Sequence, residues 1–94
     1  MEYIDSQWHH TNVDDPVRLV SELDAERFEI RKLEFFVDGR VGHACEASES
    51  HGTMLGEPPD PQLSEITNDP QFTGSHISAE AFEQLWSTHV EYPK

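Results

Sequence analysis

The sequence predicts an α+β domain: a curved antiparallel β-sheet of about four strands in meander order, packed against one or two C-terminal helices. Three observations predict it. Short apolar and β-branched runs alternate with polar residues across 2–46, an Asp-Gly pair separates two of those runs, and three-and-four apolar spacing appears only near the C-terminus. Strands first and helices last argue for segregated layers, with the helices on one side of the sheet.

In Glu2 to His9, Ile4, Ser6 and Trp8 share one face and Tyr3, Asp5 and Gln7 the other, so a first strand places Ile4 and Trp8 inward. Thr11 to Pro16 is a polar turn, after which Val17, Leu19, Ser21 and Leu23 alternate with Arg18, Val20 and Glu22 as a second strand. Asp24-Ala25-Glu26 makes a short turn. Phe28 and Ile30 then begin a third strand whose alternation slips, because Leu33 and Phe35 fall on the opposite parity, and a bulge near Arg31-Lys32 absorbs the extra residue. Asp38-Gly39 tolerates positive φ at both central positions and predicts a type I′ hairpin turn into a fourth strand, Val41 to Glu46.

Residues 47–61 are rich in Ser, Gly, Pro and Glu and read as a long loop with a brief edge strand at Thr53-Leu55. Asp60-Pro61 reads as an N-cap with proline at the first helical position, opening a short helix over about 62–69 that carries Leu63 and Ile66 on one face. A second helix over 78–90 has Ser78 as its cap and Ile77 packing back on Phe82, with Phe82, Leu85, Trp86 and His89 along its inner stripe. Trp8, Phe35, Phe36, Phe82 and Trp86 at these spacings are core rather than a ligand pocket. Of the neighbours Phe35 and Phe36, one must face away from the other.

Ninety-four residues make one domain, 1–94, with 35% hydrophobic residues, enough for a single core. No run approaches the roughly 20 apolar residues of a membrane span, and Met1 to Asp5 lacks the basic and apolar regions of a secretory signal. One cysteine, Cys45, forms no internal disulfide, so the reducing cytoplasm is the expected compartment. The net charge is -13. Residues 1–40 hold ten Asp/Glu against five Arg/Lys, whereas residues 41–93 hold nine Asp/Glu and no Arg or Lys. Direct binding to nucleic-acid phosphate or to an anionic membrane is thereby disfavoured, and a protein partner with a basic surface is favoured.

Catalytic constellations are thin. His43 and Cys45 lie two apart on one strand face, with His9 a neighbour if the first and fourth strands are adjacent, but neither C-x-x-C nor H-E-x-x-H spacing is present. Glu46 and Glu49 beside Cys45 are expected to raise its thiol pKa, against a nucleophilic role. No glycine-rich phosphate loop occurs. No catalytic residue, metal or cofactor is assigned. The candidate partner-binding residues are Glu46, Glu49, Glu57, Asp60, Glu65 and Asp69 in the loop and first helix, with Phe36 as an anchor and Trp8 or Trp86 as further anchors if exposed.

The segments Arg31 to Phe36, Asp38-Gly39-Arg40, Gly52 to Glu57, Ile66 to Phe72 and Ile77 to Trp86 resemble a family of small acidic bacterial proteins known only as a domain of unknown function. The resemblance runs over nearly the whole chain and implies one intact domain, without an activity. More loosely, the chain is similar in type to immunity proteins, which neutralise toxins through a carboxylate-rich face. The expected function is therefore non-catalytic binding or inhibition of a basic protein, such as a bacterial toxin. The alternatives are a DNA-mimic regulator of a nucleic-acid-binding enzyme, or a small metal-binding or enzymatic domain built on His9, His43 and Cys45.

Overall fold

The computed structural model describes residues 1–90. Five strands, β1 (Glu2–Trp8), β2 (Arg18–Leu23), β3 (Glu29–Phe35), β4 (Val41–Cys45) and β5 (Phe72–His76), form one antiparallel sheet in the order β4-β3-β2-β1-β5. Two helices, α1 (Leu63–Asn68) and α2 (Ala79–His89), complete an α+β fold. The first four strands are the expected meander. The fifth was not expected: it returns after α1 and pairs with β1, Ile4 opposite His76 and Trp8 opposite Phe72. Its sequence, Phe-Thr-Gly-Ser-His, has weak strand propensity, and long-range pairing supplies what local preference does not.

Cross-strand register sorts the side chains into two faces. On one, Tyr3, Glu22, Arg31 and Cys45 stand in a row beside Asp5, Val20, Leu33 and His43. α2 covers this face, and Val20, Leu33, Phe82, Trp86 and Val90 form the core, flanked by Tyr3, Phe35, Val41, Cys45, Ile77 and Leu85. Ser78 caps the helix by accepting a hydrogen bond from the Ala81 N–H at 3.0 Å, as its position predicts. Trp86 is 1% exposed and its indole N–H has no partner among the described residues.

The opposite face carries Ile4, Ser6, Leu19, Ser21, Leu23, Lys32 and Ala44. α1 lies here, over β5: a Cβ on Gly74 would meet Leu63 Cδ1 at 3.0 Å and Ser6 Cβ at 3.5 Å. The helices therefore sit on opposite faces of the sheet, not on one side as the order of elements suggested. With both faces covered, residues on both parities of the strands are buried.

Local details also depart from expectation. The register shift falls at Ile30, between the pairs Leu23–Glu29 and Glu22–Arg31, one residue before the expected bulge. It places Glu29 and Lys32 on the α1 face and Arg31 on the α2 face. The hairpin after β3 is a longer turn: Phe36 N–H donates to Arg40 O, Gly39 N–H donates to Phe36 O, and of the two turn residues only Gly39 has positive φ, 95°. That is a type I turn closed by a left-handed glycine rather than type I′. Thr53-Leu55 forms no strand. Instead Thr53 is 1% exposed and seated on Gly42 of β4, while Glu49 makes an isolated bridge to Ala44. α1 has Gln62 at its N-cap with no side-chain cap, so Asp60 does not cap it.

Candidate functional site

Each described arginine and lysine is engaged by a carboxylate within the fold. Arg18 pairs with Asp5 at 2.7 Å, Arg27 with Glu2, Arg31 with Glu22 and Glu83, both at 2.6 Å, Lys32 with Glu29 at 3.5 Å and Glu34 at 3.7 Å, and Arg40 with Asp38 at 2.8 Å. Lys94 lies outside the described residues. The acidic surplus therefore falls on carboxylates elsewhere. Glu46, Glu49, Glu57, Glu65 and Asp69 are exposed and have no cationic partner among the described residues, while Asp60 is half-buried.

These residues do not make one patch. Glu46 and Glu49 follow β4, at one edge of the sheet, while Glu65 in α1 and Asp69 at its C-cap lie over β5, at the other. Four strand spacings, roughly 19 Å, separate the edges. Phe36, offered as an anchor, is 8% exposed beneath the Arg40 guanidinium, 4.6 Å from its ring centroid, and Trp86 is in the core. Of the three aromatic anchors only Trp8 reaches the surface, half-buried, stacked on Phe72 and donating to Gln71 Oε1.

Asp60, Glu65 and Asp69 do come together, in a pocket of about 310 Å³ between the sheet and α1. Ser6, Leu19, Ser21, Glu29 and Phe72 contribute its strand side, and Pro61 and Ile66 the apolar part of the opposite wall. The backbone explains why Asp60 points there. Arg27, held in a left-handed conformation (φ 70°) at the end of the β2–β3 turn, donates to the carbonyl oxygens of Asp60 and Pro61 at 3.0 and 2.6 Å, and its own carbonyl accepts from the Asp60 N–H at 2.8 Å. Glu29 is fixed in turn by the Gly56 N–H at 2.5 Å and by Lys32. Burial and the facing Glu29 carboxylate push the Asp60 carboxyl up to about 6, partly opposed by Lys32 and Arg27. Glu29 and Ser21 escaped sequence reading because one residue of slippage at Ile30 decides which side of the sheet Glu29 faces.

His43 and Cys45 form a second cluster at the β4 edge. Ser50 Oγ lies 2.8 Å from His43 Nδ1, Ser48 Oγ 2.9 Å from His43 Nε2, and Cys45 Sγ 3.6 Å from Ser48 Oγ. Burial pushes the Cys45 thiol up, but the Ser48 hydroxyl, the Ala47 and Ser48 backbone N–H groups and Arg31 more than offset it and leave the thiol below its usual value. This corrects the expectation drawn from Glu46 and Glu49. His9 does not join the cluster; it lies beyond β1 and its Nε2 is 2.6 Å from Thr73 Oγ1 of β5. Among the described residues no three His, Cys, Asp or Glu side chains converge as a metal site, and no helix is long and apolar enough to cross a membrane.

Neither a curated protein nor a solved structure matches the chain. A family model does, over residues 2–91, and it spans both sheet edges, both helices and the pocket. The chain belongs to the family described as a domain of unknown function, DUF6881.

Proposed function

We propose that this protein is a non-catalytic cytoplasmic binding protein of the immunity type, which docks a basic protein partner, such as a bacterial toxin, through its uncompensated carboxylates. The observation that carries this reading is the pairing pattern. Arg18, Arg27, Arg31, Lys32 and Arg40 are all engaged within the fold, so no described arginine or lysine pairs with Glu46, Glu49, Glu57, Glu65 or Asp69. Such a surface repels itself and speeds encounter with a positively charged partner. The two groups of carboxylates, near opposite sheet edges, suit a partner wide enough to reach both.

The test is capture followed by reconstitution. The tagged chain retains one basic protein from its host lysate at low salt. The purified pair re-forms, its affinity falls steeply as salt rises, and Glu57→Lys with Glu65→Lys weakens it at least roughly tenfold. A retained protein that is not basic, or a pair indifferent to salt and to charge reversal, overturns the reading, as does the absence of any specific partner.

A further inference from the structure

We propose that the pocket between the sheet and α1 is a binding site for an alkylammonium group, a primary ammonium carried on an apolar stem.

Two independent features point to such a ligand. The first is the carboxyl pair. Glu29 has Lys32 and the Gly56 N–H as partners, whereas Arg27 spends its donors on the Asp60 and Pro61 carbonyls and on Glu2, so no ion pair forms with the Asp60 carboxylate among the described residues. No lysine, arginine or histidine lines the pocket, while Glu65 and Asp69 stand at it. The second is Ser21, which is 7% exposed, lines the same pocket and has no side-chain hydrogen bond among the described residues. Its neighbour Ser6 differs, since its hydroxyl donates to the Leu19 carbonyl at 3.3 Å. The Ser21 oxygen is reached from the pocket, so a donor that enters the pocket can bond it.

The donor count suits an ammonium. It brings three N–H donors and no acceptor, and the pocket presents three kinds of acceptor: Asp60, Glu29 and the Ser21 hydroxyl. Leu19, Pro61, Ile66 and Phe72 match a methylene stem. A divalent metal fits less well, because apolar walls strip its water without replacing the oxygens. A volume of about 310 Å³ lies at the small end of ligand pockets and suits a linear amine of a few carbons or one lysine side chain.

The site is tested by NMR titration of the full chain, at about 0.15 M NaCl to screen the general acidic surface. Three probes are used: n-butylammonium chloride, n-butanol and the tripeptide acetyl-Gly-Lys-Gly-amide. Saturable shifts are expected at Ser21, Glu29, Asp60 and Ile66 with butylammonium and not with butanol. Asp60→Asn should weaken binding roughly tenfold and Ser21→Ala roughly threefold, with the amide spectrum still that of the folded chain. If the tripeptide binds at least as well as butylammonium, the natural occupant is a lysine side chain; if it does not bind, the occupant is a free amine. Equal binding of butanol, unsaturable shifts spread over the acidic surface, or indifference to Asp60→Asn each overturns the proposal. The proposal goes beyond the protein-partner reading and does not depend on it.

Discussion

Glu22 and Arg31 face each other across β2 and β3, with Arg31 Nε 2.6 Å from Glu22 Oε1, and the same guanidinium reaches Glu83 of α2 at 2.6 Å. Phe82 and Trp86 lie 4.8 and 5.1 Å beneath it, and the Tyr3 hydroxyl donates to Glu22 at 2.9 Å. One side chain thus joins the helix to the sheet and neutralises a carboxylate that is 6% exposed.

Arg31→Ala leaves Glu22 buried without its cation, which costs about 3–5 kcal/mol, against at most about 1 kcal/mol for the exposed Glu83 contact. Thermal unfolding should fall by at least about 12 °C in a domain of this size. The pair Glu22→Gln with Arg31→Met should recover part of the loss, because the charge leaves with its partner. A single variant that unfolds within a few degrees of the parent contradicts this account.

Asp60 makes the pH dependence run opposite to the usual carboxylate. Its folded pKa, about 6, lies above the ordinary 3.8, so the folded chain binds the extra proton and this group's contribution falls as pH rises through that window. Asp60→Asn should match the parent below about pH 4 and exceed it by about 1 kcal/mol above pH 6, a figure reduced for solvent screening. Urea unfolding of both proteins at the two ends of the window checks it; an asparagine variant less stable at neutral pH would contradict it.

Gly42 is needed for the loop to seat. An added Cβ would lie 2.0 Å from Thr53 Oγ1 and 3.0 Å from the Ser50 carbonyl, and Thr53 is the residue whose hydroxyl donates to Glu34 at 2.8 Å. Gly42→Ala should cost about 2–3 kcal/mol by displacing Thr53. Adding Thr53→Ala should cost less than the sum of the two, since the first change has already broken the contact the second removes. Strict additivity in a double-mutant cycle would refute the seating.

Ser48 is the side-chain donor that lowers the Cys45 thiol. Ser48→Ala should raise the thiol pKa and slow alkylation of Cys45 by iodoacetamide at neutral pH roughly two- to threefold, while the rate at high pH, where the thiolate is fully formed, stays near the parent's. An unchanged rate-pH profile would remove Ser48 from that role.

The meander was readable because alternation at period two is a local property of β1 to β4, and the slip in β3 was visible as a change of parity between Ile30 and Leu33. α2 was readable because its cap, Ser78, and its stripe, Phe82, Leu85 and Trp86, lie within a few residues of one another. Asp60, Glu65 and Asp69 were singled out for charge, and they do share a pocket; Glu29 and Ser21, which complete it, lie more than thirty residues upstream and carry no local mark.

Composition and periodicity determined the acidic α+β character, the four-strand meander and the amphipathic C-terminal helix, because each depends on neighbours in the chain. Tertiary structure alone decided the fifth strand, the placement of the two helices on opposite faces, and the burial of Phe36 under Arg40. It also decided which carboxylates are neutralised. Those outcomes depend on which distant surfaces meet: β5 has little strand preference until β1 offers its edge, and Glu29 meets Asp60 because Arg27 ties the Asp60-Pro61 backbone to the β2–β3 turn.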